Sequence, residues 1–169
     1  MNGAAESMDG IVVERVAGVP QDLGALIDAA EAEGLEFMTR LRDGGRAAGV
    51  TYSGPGESFL EARHVGALVG VCGLSLDHYA GDPRIGRVRH VYVHPAWRRR
   101  GVGEALVRAA VLAARGHFDV VRLRALDARA ARVYERAGFA PTSEADATHR
   151  IETRRPATGE PPARGAASP

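Results

Sequence analysis

The chain has 169 residues, 22 basic against 21 acidic side chains and a formal net charge of +1, which fits one domain with a sizeable core and excludes a protein that coats nucleic acid through bulk charge. No stretch is long and apolar enough to cross a membrane, a single cysteine allows no internal disulfide, and six histidines without ligand spacing point to no metal. The cytoplasm is the expected compartment.

Residues 1–9 are small and polar, with no apolar core of signal-peptide length, and are expected to be disordered. Ile11 to Val16 is a short strand. Pro20-Gln21-Asp22 opens a helix with an acid in its first turn and a buried face of Leu23, Leu26, Ile27 and Ala30; beyond Gly34, Phe37, Met38 and Leu41 face one way on a second short helix. Asp43 to Gly56, with Gly54-Pro55-Gly56 as a turn signal, is expected to be a mobile loop. Ser58 to Val65 and Ala67 to Leu76 make an antiparallel hairpin about Gly66. Leu68, Val69, Val71, Leu74 and Leu76 make the second strand apolar on both sides, as in a central strand covered on two faces. Within it Cys72 is expected to be a buried, inert thiol.

The stretch Gly86 to Arg115 carries the chemistry. Val88, Val91 and Val93, with Tyr92, form a β-branched run that Pro95 ends. From Val102 the period changes, and Val102, Ala105, Leu106, Ala109 and Ala113 lay one apolar stripe along a helix of about four turns. Between strand and helix stands Arg98-Arg99-Arg100-Gly101-Val102-Gly103. Glycines at a helix head leave the first N–H groups bare, and those groups sit at the positive end of the helix dipole, so the fitting occupant is an anion, best a phosphate. The arginines add forked donors. A Walker loop is excluded, because no lysine occurs in the chain, and a dinucleotide fingerprint would need a glycine where Leu106 stands.

Further on, Val120 to Leu126 alternates as a half-buried strand, and Asp127 begins a helix through Tyr134 that Gly138-Phe139 stops. The pairs Phe139 to Thr142 and Thr148 to Thr153 close the sheet, and residues 155–169, rich in Pro, Gly and Ala, are expected to be disordered. Residues 10–154 then form the single domain.

Val-Tyr-Val-His-Pro followed by Arg-x-x-Gly-x-Gly resembles motif A of the GNAT superfamily of N-acetyltransferases, and Tyr134 with Gly138-Phe139 resembles its motif B. The specific residues lie between Val88 and Phe139, within a resemblance spanning about Ile11 to Thr153. The resemblance implies an α/β (α+β) acyl-CoA N-acyltransferase fold: a central mixed, mostly antiparallel sheet flanked by helices. It implies acetyl-CoA as cosubstrate. Backbone groups of Val91, Tyr92 and Val93 would pair with the pantetheine arm, and Arg98, Arg99, Arg100, Gly101, Val102, Gly103 and Glu104 would take the pyrophosphate. Tyr134 would protonate the thiol sulfur or hydrogen-bond to it. Asp127 stands where the family often has a cofactor-touching asparagine; a carboxylate caps a helix equally well but cannot donate as an amide does.

Many relatives carry a glutamate base where this chain has Arg89 and His90. His90 is therefore the candidate base, with Glu61 and His64 as lesser ones and water as the alternative. The expected acceptor is a primary amine of a small molecule or a protein, its pocket drawn from Leu23 to Gly56 and Pro141 to Thr148; Glu31, Glu33, Glu36 and Glu57 could attract a cationic amine or simply form a solvated face. A homodimer is allowed. The alternative from another class is a non-catalytic acyl-CoA sensor or interaction module on the same fold.

Overall fold

The computed structural model describes residues 6–44 and 51–153. In chain order the elements are β1 (Glu6–Met8), β2 (Ile11–Val16), α1 (Gly24–Ala32), α2 (Phe37–Arg42), β3 (Ser58–His64), β4 (Ala67–Leu76), β5 (Ile85–Val93), a 3₁₀ turn at Pro95–Trp97, α3 (Val102–Ala114), β6 (Val120–Leu123), α4 (Ala128–Arg136), β7 (Ala140–Pro141) and β8 (His149–Glu152). The strands form one eight-stranded sheet in the order β1-β2-β3-β4-β5-β6-β8-β7. Only β5 and β6 run parallel; every other neighbouring pair is antiparallel. This is the mixed, mostly antiparallel sheet flanked by helices that the sequence leads one to expect.

The core has two layers. On one face α3 buries Leu106, Val107 and Ala110 against Ile11, Leu60, Val69, Leu74 and Val121. On the other, Leu26, Ile27 and Ala30 of α1 and Met38 and Leu41 of α2 close over Phe59, Leu68, Val71 and Tyr92. Strand β4 is covered on both sides, as its unbroken apolar run requires.

Several local expectations need correction. Disorder of residues 1–9 does not hold for Glu6–Met8, which pair with Val13, Val12 and Ile11 as an edge strand; ladder bonds come from the backbone, so polar side chains do not forbid them. Residues 1–5, residues 45–50 of the expected mobile loop and the tail 155–169 lie outside the described residues. The first helix starts at Gly24 and has no acid in its first turn, because Asp22 instead holds Arg63 of β3 at 2.7 and 2.9 Å. In α3 the buried face is rotated from the expected stripe: Val107, Ala110, Val111 and Ala114 are buried, while Ala109 and Ala113 sit at its margin. The larger valines turn to the sheet because they remove more apolar surface from water than alanine does.

The expected half-buried alternation from Val120 to Leu126 also fails, since the strand ends at Leu123 and Arg122 is buried. Its charge is met by Asp77, a buried carboxylate at the end of β4, whose Oδ2 accepts from Arg122 Nε at 2.8 Å and from Arg87 Nη1 at 3.4 Å. Glu144 takes Arg122 Nη1 at 3.0 Å. One carboxylate thus ties β5 and β6 together at the end where they pair. Removing it takes a carboxylate from two buried guanidinium groups and leaves Arg122 with Glu144 alone, so Asp77→Ala should cost about 3–5 kcal/mol, read as a lowered urea midpoint at unchanged slope.

Candidate active site

Strands β5 and β6 share a ladder only at Ile85–Arg87 against Val120–Arg122. Beyond that the two run apart, and a cavity of about 800 Å³ lies between them. One wall is His90 to Val93 of β5 with the loop and first turn of α3; the other is Arg124 to Asp127 and the inner face of α4; Glu33, Leu35 and Phe37 from the α1–α2 connection lie at one end.

The loop before α3 has the backbone that its glycines suggest. Arg99 (φ 61) and Gly101 (φ 78) are both left-handed. Gly101 caps α3 without any side-chain hydrogen bond, and the first backbone bond of the helix runs from Ala105 N to Gly101 O at 2.9 Å. The N–H groups of Val102, Gly103 and Glu104 therefore precede the helical ladder. A left-handed residue followed by a right-handed one turns successive N–H groups into one concavity, which is an anion nest.

The three arginines separate. Arg98 turns away from the nest: Nε donates to Val93 O at 2.9 Å, and Nη1 and Nη2 each reach a Glu33 oxygen at 2.6 Å. Its guanidinium also lies 5.4 Å over the Tyr92 ring. Tyr92 in turn donates its hydroxyl to Glu33 at 2.7 Å. Arg98, and secondarily this tyrosine, hold the Glu33 carboxyl down to about 2. Arg100 stacks 5.0 Å over Trp97 and does not line the cavity, whereas the exposed Arg99 does. Of the expected pyrophosphate donors, then, Gly101 to Glu104, Arg98 and Arg99 all line the cavity, but Arg98 is engaged by Glu33 and braces the loop, and Arg100 lies outside the lining.

Four cationic residues that sequence reasoning passed over line the opposite wall: Arg124, Arg129, Arg132 and Arg136. Against the six arginines of the lining, with Arg98 and Arg99, stand the carboxylates of Glu33, Glu104 and Asp127. Arg129, Arg132 and Arg136 recur along α4, a pattern that reads equally as a solvated face, and Arg124 stands just past the end of β6 with no pattern to mark it.

Tyr134 is buried on the inner side of α4 and lines the cavity, its ring edge-on to Phe139 at 6.2 Å. Burial raises its pKa, and among the described residues nothing takes up its hydroxyl. Asp127 caps α4 by accepting from Ala130 N at 2.8 Å, which occupies one of its oxygens. His90 also lines the cavity. Its Nδ1 lies 2.5 Å from the hydroxyl of Tyr52, and burial, then the nearby Arg89, bring its pKa down to about 4. Cys72 is fully buried and its thiol is pushed up to about 12 by burial, the inert state expected of it. Among the described residues no group of three or more His, Cys, Asp or Glu is placed to hold a metal, and no helix is long and apolar enough to cross a membrane.

A family model described as an acetyltransferase (GNAT) domain matches residues 55–141, the span from the β3–β4 hairpin through α4. The chain belongs to the GNAT family. A search of curated proteins finds no match. Among solved structures, a protein of Exiguobacterium sp. 255-15 assigned as an acetyltransferase is 26% identical, with a TM-score of 0.72 over 84% of this chain and 93% of that one. The GNAT family N-acetyltransferase YhbS of Escherichia coli, in complex with CoA, is 14% identical with a TM-score of 0.65 over 90% and 86% of the two chains. YncA of Salmonella typhimurium, with its cofactor acetyl-CoA, is 14% identical with a TM-score of 0.60 over 90% and 99%. The last two likenesses show the fold.

Other candidates of this GNAT chain fall outside the cavity lining. Glu61 is buried and paired with Arg63 at 2.6 Å, and His64 packs on Trp97 at 4.4 Å. Glu57 accepts from Gly54 N and Leu76 N, strapping the preceding loop to β4. Glu31 accepts from Thr39 and Glu36 pairs with Arg40, both on the exposed surface. Nothing from Pro141 to Thr148 lines this cavity.

The lowered pKa of His90 has a measurable sign. The unfolded chain takes a proton at His90 below its ordinary value of 6.5, while the folded protein resists until about 4, so the folded state loses stability as pH falls through that window. His90→Gln should make the decline in urea midpoint between those two pH values shallower; an unchanged decline would show that the imidazole is not held neutral by burial.

Proposed function

We propose that the protein is an acetyl-CoA-dependent N-acetyltransferase that acylates a primary amine, of a small molecule or a protein, by direct attack in a ternary complex. One observation carries this reading: the anion nest at Gly101 and the unengaged hydroxyl of Tyr134 open onto the same cavity. Coenzyme A carries a pyrophosphate at one part and a thiol at another, so a ligand of that kind needs both features in one space. The excess of arginine over carboxylate in the lining suits its phosphates. The residues fit.

Acetyl-CoA, when bound, supplies an activated acyl carbon. The nest N–H groups and Arg99 would hold the phosphates, and the stretch Val91 to Val93, beyond the end of the β6 ladder, would orient the arm. Among the described lining residues there is no serine, threonine or cysteine, and Cys72 is buried and protonated, which favours transfer without an acyl-enzyme. Tyr134 keeps its proton, since burial raises its pKa further above the roughly 8.5 of an ordinary thiol. It therefore stabilises a departing thiolate by donating a hydrogen bond, with full proton transfer uphill. His90 is a poor base, because basicity falls with pKa, and an amine losing its proton to solvent water through the open cavity needs no side-chain base.

Titration calorimetry with acetyl-CoA should show micromolar binding, weakened at least tenfold in Gly101→Asp, which puts a carboxylate and a Cβ on a left-handed residue of the nest. Tyr134→Phe should bind equally and lower kcat by about 10- to 100-fold. A folded wild type that does not bind would overturn the assignment; binding without turnover over a panel of amines would favour the sensor.

A further inference from the structure

The β4–β5 ladder slips at one point. Val71 faces Tyr92 and Gly73 faces Arg89, so the single residue Cys72 stands opposite the pair His90 and Val91. This is a β-bulge, and its first residue, His90, has a left-handed backbone at φ 52. A non-glycine residue in that region is held there by its surroundings. The surroundings are Tyr52 and Gly73.

Tyr52, itself at φ 57, is 4% exposed and lies directly on Gly73, where a Cβ would fall 2.4 Å from its ring and 2.7 Å from its hydroxyl oxygen. Only glycine admits the ring. Phe59 meets it edge-on at 5.1 Å, so the tyrosine is seated from two sides. Its hydroxyl is 2.5 Å from His90 Nδ1, and among the described residues it has no other hydrogen-bond partner.

That single contact settles where the imidazole proton is. A buried phenol with one partner must donate to it, since an undonated O–H is left unsatisfied. Nδ1 is then the acceptor, and a neutral imidazole that accepts at Nδ1 carries its proton on Nε2. Tyr52 does not line the cavity and His90 does, and with Nδ1 taken by Tyr52 the ring nitrogen without a partner among the described residues is Nε2. The charged neighbour Arg89 and the ring of Phe37, at 6.3 Å, offer no carboxylate that would hold the imidazolium instead.

We propose that Tyr52, seated on Gly73, is a positioning residue that locks His90 in its Nε2–H tautomer, so that His90 meets the reacting groups as a hydrogen-bond donor to oxygen and not as the base. The lock stands on the geometry alone, while the donor role rests on the acetyl-transfer reading.

The intact protein, labelled with ¹⁵N-histidine, tests the lock by long-range proton–nitrogen correlation without any ligand, His90 being assigned by the signal lost in His90→Gln. At neutral pH Nε2 should appear protonated and Nδ1 bare; a protonated Nδ1 would overturn the lock. Tyr52→Phe should move both nitrogens toward the tautomer average and lower kcat about tenfold, with KM for acetyl-CoA within about twofold. The donor role is tested by His90→Gln against His90→Glu, which carry the same strain at φ 52 and differ in donating or accepting at the reach of Nε2. Gln retaining at least tenfold more kcat than Glu supports the donor, and the reverse order overturns it. A locked tautomer in a wild type that acetylates no amine would place the failure in the acetyl-transfer reading and leave the lock standing.

Discussion

Strand β5 is paired along most of its length on one side and over three residues on the other. Backbone N–H and C=O groups cannot be left dry without cost, so a strand edge released from its neighbour in the middle of a sheet must meet water or a ligand. The site depends on that release. The Asp77 ion cluster holds β5 to β6 at one end, and at the other Arg124 to Leu126 leave the strand path and become cavity wall. A cleft in the centre of a sheet is normally filled by the next strand; here it begins where the ladder stops, beyond the end that a carboxylate and two guanidinium groups hold together.

The sheet's two faces divide the remaining work. The face under α3 is apolar and closely packed, and it fixes the helix whose first N–H groups line the cavity. The face under α1 and α2 carries Tyr52 and Tyr92, whose hydroxyls reach His90 and Glu33. One layer sets the position of the anion nest and the other sets the side chains of His90 and Glu33 in the cavity lining. Arginine serves both structure and site: Arg87 and Arg122 are neutralised inside the fold, while Arg99, Arg124, Arg129 and Arg132 line the cavity.

The fold and the motif A loop were legible because their signals are local. Strand, glycine-bearing loop and helix follow one another between Val88 and Ala114, and Asp127 caps α4 three residues before its partner N–H. What stayed hidden depends on contacts between distant segments. Arg98 reads as a phosphate donor until Glu33, 65 residues earlier, is seen to take both its terminal nitrogens. The Tyr52 and His90 pair is 38 residues apart and needs a bulge that no local pattern announces. Arg122 sits at an alternating position that should be solvated, and only the approach of Asp77 from 45 residues away makes its burial tolerable. The edge strand Glu6–Met8 is invisible for the opposite reason, since its ladder uses groups that every residue has.

The contact between Glu33 and Arg98 joins the α1–α2 connection to the loop at the head of α3, so it links one end of the cavity to one of its walls. Both side chains are part-exposed, at 34% and 21%, and the join is ionic where the packing of the helices on the sheet is apolar. Attraction between such charges is screened by dissolved salt, over a Debye length of about 8 Å at physiological ionic strength. The hydrophobic core responds to salt far less, and in the opposite sense for strongly excluded anions such as sulfate. Rising salt therefore loosens this one contact without a matching loss in the sheet that carries it.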